Sequence, residues 1–172
     1  MSFISIDIEA DGPIPGDYSM IALGAVVVET GLTRSFYNTI RPISDKYIQR
    51  SLQVCGFSRN QTMGFTPPQI AMHSFHDWID RQGGHNPFFV SDNNGFDWQF
   101  VNWYFHHYIG DNPFGFSSTN LVSLFKGIHR DMYAQFSHFR GKTEHNALED
   151  ARRNALALLE MSSKYGLHIN LG

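Results

Sequence analysis

Asp7 and Glu9 stand two apart in the alternating run Phe3-Ile4-Ser5-Ile6-Asp7-Ile8-Glu9. On an extended chain, residues i and i+2 project to the same side, so the two carboxylates share a face. Like charges held that way repel, and a divalent cation is the usual reason for such a pair. A solvated strand end running into the Asp11-Gly12 turn would show the same spacing, so this pair alone does not decide. Asp97, in Asn93-Asn94-Gly95-Phe96-Asp97-Trp98, falls in the first turn of an expected helix. There an acid also suits the helix dipole and the free amides.

His145 and Asp150 are five apart, about 140° around a helix axis, so inside one helix they could not meet. Asn146 is a good N-cap, and Glu149 three residues later can complete a capping box. The helix then starts at Ala147, His145 lies just outside it, and Asp150 points from the first full turn. A loop histidine thus hangs over a helix-borne carboxylate. An exposed histidine beside an ordinary helix is the plain alternative, and with nine histidines a chance neighbour is easy. Four carboxylates with one neutral imidazole would form a hard-oxygen site suited to Mg²⁺ or Mn²⁺ rather than zinc.

These residues need elements to bring them together. Phe3 to Ile8 alternates as a strand, with Ile4, Ile6 and Ile8 on one face. Met20 to Glu29 reads as a buried strand and Ser35 to Ile40 as a third, joined by short turns into an antiparallel meander. Thr66-Pro67-Pro68-Gln69 reads as a helix start with Thr66 as cap, and Ile70, Phe75, Trp78 and Ile79 keep helical spacing up to Gly83. Phe88-Phe89-Val90 is a short buried strand. Phe96, Phe100, Trp103 and Tyr104 give a helix with Phe100 and Trp103 in the core, and Phe114 to Ser117 gives a fifth strand. In the last helix Leu148, Ala151, Ala155, Leu158 and Leu159 share a face, and Gly166 suits its C-cap. Strands first, then alternating helix and strand, imply a mixed α/β sheet with helices on its faces. Active sites in such sheets form at the carboxyl ends of strands, where all four acids could meet.

Composition narrows the class. The 172 residues fit one domain, 1–172, and 15% aromatic content rules out a disordered tail, a coiled coil or a collagen-like repeat. A net charge of −3 gives no overall basic field for loose binding to long nucleic acid. The single cysteine, Cys55, excludes an internal disulfide and a cysteine zinc cluster, and is most simply a small core residue. The N-terminus lacks a basic segment and a long apolar run, and no membrane-length apolar window exists, so a cytoplasmic protein is expected.

The ordered set resembles the DEDDh group of 3′→5′ exonucleases, the DnaQ-like branch of the ribonuclease H fold. Asp7-Ile8-Glu9-Ala10-Asp11-Gly12 is similar to that family's D-x-E-x-x-G, Asn93 to Asp97 to its N-x-x-F-D, and His145 to Asp150 to its H-x-A-x-x-D. Gly24-Ala25-Val26 resembles the second strand. Ala22 departs from the pattern, since many relatives carry an acid two before that glycine. The resemblance covers about Phe3 to Tyr165. It implies a ribonuclease H-like α/β fold, a five-stranded mixed sheet with helices on both faces. It also implies two Mg²⁺ or Mn²⁺ ions, with Asp7 bridging them, Glu9 and Asp150 on the first and Asp97 on the second. His145 would be the general base, and a nucleoside 5′-monophosphate would leave from the 3′ end.

For a single-stranded RNA or DNA 3′ end, Arg140 and Lys142 are the expected phosphate contacts and Phe139 a stacking surface. Phe96 and Trp98, flanking Asp97, are candidates for the terminal nucleotide, as are Gly12 and Met20 beside the first two strands. The stand-alone size resembles exoribonucleases, so RNA is the expected substrate and a homodimer the expected assembly. A proofreading-type DNA exonuclease and a catalytically inactive nucleic-acid-binding module are the alternatives. A signalling receiver also gathers acids around Mg²⁺, but it needs a lysine ending its last strand, and Phe114 to Thr119 offers none.

Overall fold

The structure, a computed structural model, describes residues 2–82, 86–137 and 145–169. Among these, β1 (Phe3–Ala10), β2 (Met20–Val27) and β3 (Ser35–Thr39) form the expected antiparallel meander. β4 (Phe88–Ser91) and β5 (Ser118–Asn120) then add parallel to β1 on its other side. The resulting order β3-β2-β1-β4-β5 puts β1 at the centre of five strands. Strands are added first on one side of β1 (β2, β3) and then on the other (β4, β5), so the β1/β4 edge is the switch point at which a mixed sheet opens a crevice.

The alternation in β1 sorts the molecule into two cores. Ile4, Ile6 and Ile8 face α3 (Pro68–Arg81) and α4 (Asn94–Tyr108), against Met72, Phe75, Phe100, Tyr104 and Phe105. Val26, Val28 and Val90 lie with α5 (Leu121–His129) and α6 (Ala147–Tyr165), against Phe125, Ala151, Ala155 and Leu158. Each fully buried side chain of this size contributes roughly 1.5–3 kcal/mol.

Several elements differ from the sequence expectation. The fifth strand is Ser118–Asn120, not Phe114 to Ser117. Phe114 is buried against Phe75 and Phe89, while Phe116 is 99% exposed, so that stretch is a turn with one anchoring ring. Helix α3 starts one residue later than expected, with Pro67 as N-cap and Pro68 first in the helix, and has no side-chain cap. Thr66 is instead engaged backward, its amide on the Thr39 carbonyl. Ile70 points outward at 57% exposure; Ala71, Met72, Phe75, Trp78 and Ile79 carry the buried face. Two short helices, α1 (Gln49–Val54) and α2 (Arg59–Thr62), and α5 have no counterpart in the expectation. The first two are too short to show a helical period.

Candidate active site

Three local devices set the acidic residues around one cleft. The first is strand register. Asp7 and Glu9 project from β1 onto the α6 face, with Gly24 and Ala22 as their β2 partners. Gly24 has no side chain to hold α6 away: a Cβ there would overlap the Ala147 carbonyl and the Leu148 amide nitrogen. The start of α6 therefore lies directly on the sheet beside Asp7. Ser5, two residues before Asp7, donates its hydroxyl to the Ala151 carbonyl at 2.8 Å and fixes the same approach.

The second device is the entry to α6. Asn146 is the N-cap, its side-chain oxygen accepting the Leu148 and Glu149 amides at 3.2 Å each. The reciprocal half of the expected capping box is replaced: Glu149 turns to Arg152 at 3.9 Å. His145 adopts φ +53°, in the left-handed region, and its backbone N–H donates to Asp150 Oδ2 at 3.1 Å. That bond folds the residue before the cap back over the carboxylate one turn on.

The third device is the end of β4. Its pairing with β1 places Val90 beside Ser5; the same register continued by two residues sets Asp92 beside Asp7. Asp97 follows in the first turn of α4, its amide bonded to the Asn93 carbonyl, and is 1% exposed.

The outcome is a cleft of about 450 Å³ lined by Asp7, Glu9, Asp92, Asp97, Asp150 and His145 with Ile8, Asn93, Phe96 and Val122. All five carboxylates are buried. Their oxygens form two groups, Asp7–Glu9–Asp150 and Asp7–Asp92–Asp97, each with its ligand atoms within 4.8 Å of one another. Asp7 belongs to both. Burial, then the charges of Asp97, Glu9, Asp150 and Asp92, push the Asp7 carboxyl well above its ordinary range. Burial also raises Glu9, opposed by a hydrogen bond from Cys55 and by the nearby His145. A hard-oxygen donor set whose mutual repulsion is this large fits Mg²⁺ or Mn²⁺.

Asp11, the third acid of the first motif, does different work. It is fully buried, accepts the Ser19 amide at 2.6 Å and pairs with Arg59 at 3.1 Å, so it ties down the β1–β2 turn. Cys55 is buried as expected, but its thiol donates to Glu9 Oε2 at 3.1 Å. Ala22, opposite Glu9, offers that carboxylate no polar neighbour; the thiol at the end of α1 reaches it instead.

The structure thus brings Asp7, Glu9, Asp97, Asp150, His145 and Phe96 to one cleft. Met20 is placed elsewhere: it is fully buried, its amide on the Tyr104 hydroxyl. Gly12 is packed beneath the Tyr18 ring, which a Cβ would overlap. Trp98 sits edge-on to Phe89 and lines a separate groove with Pro15 and Trp103. Trp103 is stacked on His107 at 4.4 Å, at the rim of the core rather than in it. Phe139, Arg140 and Lys142 lie outside the described residues. Asp92, Asn93 and Val122 complete the cleft without having been expected. For Asp92 the signal is present, an acid directly after a strand that pairs parallel to β1; the pairing register that gives it meaning is not visible in the sequence.

Fold and carboxylate cluster define a 3′–5′ exonuclease of the DEDDh class, a divalent-metal-dependent family. Residues 2–162 match the family model described as the 3′-5′ exoribonuclease Rv2179c-like domain, and the chain belongs to that family. It is 36% identical over 164 residues to the Escherichia coli 3′-5′ DNA exonuclease Cap18, covering 89% of this chain and 87% of that protein. Among solved structures, the nuclease domain of 3′hExo, a DEDDh member bound to rAMP, superposes with a TM-score of 0.80 at 16% identity, covering 98% of this chain and 96% of that one. Escherichia coli exonuclease I in complex with a dT13 oligonucleotide gives 0.74 at 12% identity, over 95% of this chain and 41% of that one. No helix among the described residues is long and apolar enough to cross a membrane.

Proposed function

We propose that this chain removes nucleotides from the 3′ end of single-stranded DNA, using two divalent ions held in the acidic cleft. One observation carries the reading: Asp7 belongs to two separate carboxylate groups, which is the arrangement a residue shared by two ions requires. Bound Mg²⁺ or Mn²⁺ supplies positive charge at the scissile phosphate and lowers the pKa of an attacking water.

The protein's own residues do the rest. Glu9 and Asp150 complete the Asp7 site on the α6 side, and Asp97 lies on the α4 side. His145 lines the same cleft, with its backbone anchored on Asp150, and takes the proton from the attacking water. Phe96 offers an apolar face to the terminal nucleotide.

DNA is favoured by the 36% identity to a DNA exonuclease, which extends through 89% of this chain. The size argument for RNA loses force, because that relative is itself covered over 87% of its length. RNA is the second reading, favoured by the exoribonuclease description of the matching family. Digestion of 5′-labelled DNA and RNA strands of one sequence, with Mg²⁺, Mn²⁺ or EDTA, tests both. The expected result is stepwise shortening from the 3′ end, faster on DNA and abolished by EDTA. Faster RNA digestion reverses the substrate; EDTA-insensitive cleavage removes the metal-ion reading.

A further inference from the structure

Among the described residues, Asp92 is the one cleft carboxylate outside the D-x-E, N-x-x-F-D and H-x-A-x-x-D motifs. We infer that Asp92 is a fifth metal-holding carboxylate, on the Asp7–Asp97 side of the cleft, and that Asn154 of α6 is the residue that positions it. The inference rests on the divalent-ion reading above and adds two residues to it.

Four features place Asp92 in that role. It is 5% exposed, at the end of the strand next to β1. A carboxylate oxygen of Asp92 lies within 4.8 Å of oxygens of both Asp7 and Asp97. Its backbone is clamped, the carbonyl accepting Asn120 Nδ2 at 3.1 Å. Its side chain is clamped too: Asn154 Nδ2 donates to Asp92 Oδ1 at 2.9 Å.

The choice of Asn154 as partner is informative. A lysine or arginine at that position would neutralise Asp92 and compete with a cation. A neutral amide fixes the orientation and leaves the negative charge in place, which is how supporting residues commonly orient metal-holding groups. Asn154 is fully buried, and its Oδ1 has no hydrogen-bond partner among the described residues. A buried amide with an unsatisfied oxygen is costly to keep. Among the described residues, the donor bond to Asp92 is the hydrogen bond its side chain makes. Asn154 is also one helical turn from Asp150, so α6 addresses the two carboxylate groups from successive turns.

Calorimetric titration of the full chain with Mn²⁺, beside thermal unfolding of the metal-free protein, tests the inference. The wild type is expected to take up two Mn²⁺. Asp92→Asn should weaken the second equivalent by about 10–100-fold and leave the first unchanged. Asn154→Ala should weaken the same equivalent by less. In the metal-free state Asp92→Asn should unfold at the same or a higher temperature, because it removes a charge that repels Asp7. Unchanged Mn²⁺ binding together with a lowered unfolding temperature in both variants would make the Asp92–Asn154 bond a structural tie and overturn the inference alone. Absence of Mn²⁺ binding by the wild type would overturn the metal-ion reading itself.

Discussion

Gly24 of β2 and Ala147 of α6 are in such close contact that no side chain fits between them. Gly24 is also the register partner of Asp7. One glycine thus determines how near Asp150, on the first turn of α6, comes to Asp7. Gly24→Ala should force the helix start outward, at a cost of about 1–3 kcal/mol for overpacking. Activity should fall further than stability, since the carboxylate group Asp7–Glu9–Asp150 opens as well. Urea unfolding and Mn²⁺ titration of the variant check this; a variant with native stability and native Mn²⁺ affinity contradicts it.

The acidic residues themselves give opposite signs for activity and stability. Asp7→Asn keeps the volume and removes the charge on which four other carboxylates act. Hydrolysis should drop by more than about 100-fold, the several kcal/mol that metal-ion charge stabilisation is worth. The metal-free variant should meanwhile melt no lower than the wild type. Circular dichroism melting with a single-turnover digestion assay reads both. Full activity in Asp7→Asn would remove the two-ion mechanism.

His145 is anchored through its backbone N–H on Asp150. His145→Ala therefore keeps the N–H bond to Asp150 and deletes the proton acceptor. Turnover should fall by roughly 10²–10⁴-fold, the usual contribution of general-base catalysis. Mn²⁺ affinity should stay within about threefold. Loss of Mn²⁺ binding would instead make the imidazole a ligand.

Much of this site is legible in the sequence because its parts are local. The Asp7/Glu9 alternation, the Asn146 cap and the start of α6 at Ala147 each follow from a few adjacent residues. The parallel β1/β4 pair, and with it the placing of Asp92, depends on pairing between segments more than 80 residues apart, which no local pattern encodes. Phe114 to Ser117 misleads because the position of the fifth strand is set by its register with β4, not by local hydrophobicity. Its aromatic rings suggest a strand, yet Ser118–Asn120 pairs with β4, polar residues held by register and by Ser118 bonded to Asn94 at 2.7 Å. Cys55 is similar, since only the fold of α1 against the end of β1 reveals that its thiol serves Glu9.

That thiol makes a separate prediction. Burial and the adjacent Glu9 carboxylate push Cys55 far above its ordinary pKa, so it stays protonated and can only donate. Cys55→Ala removes one stabilising bond from the Glu9 carboxylate and should raise its pKa further. Cys55→Ser preserves a donor and should restore most of the function. The check is the pH dependence of kcat/KM: its acidic limb should move upward in the alanine variant and return in the serine variant. Identical limbs in all three proteins would show that Cys55 only fills space.

The metal-free protein should lose stability as pH rises. Asp7 and Glu9 both have folded-state pKa values above their unfolded ones, so between those values the native state binds more protons than the unfolded chain. Stability then falls with increasing pH, beginning near the unfolded carboxyl values of about 4 and continuing through the raised native ones. A divalent ion reverses the penalty by favouring the ionised forms. The increase in melting temperature on adding Mn²⁺ should therefore be small near pH 5 and grow towards pH 8. Differential scanning calorimetry across that range, with EDTA and with Mn²⁺, measures both slopes. A melting temperature in EDTA that rises steadily with pH over the weakly acidic range would mean that the carboxylates are not held protonated by their neighbours, and that the cleft does not confine them as closely as its geometry requires.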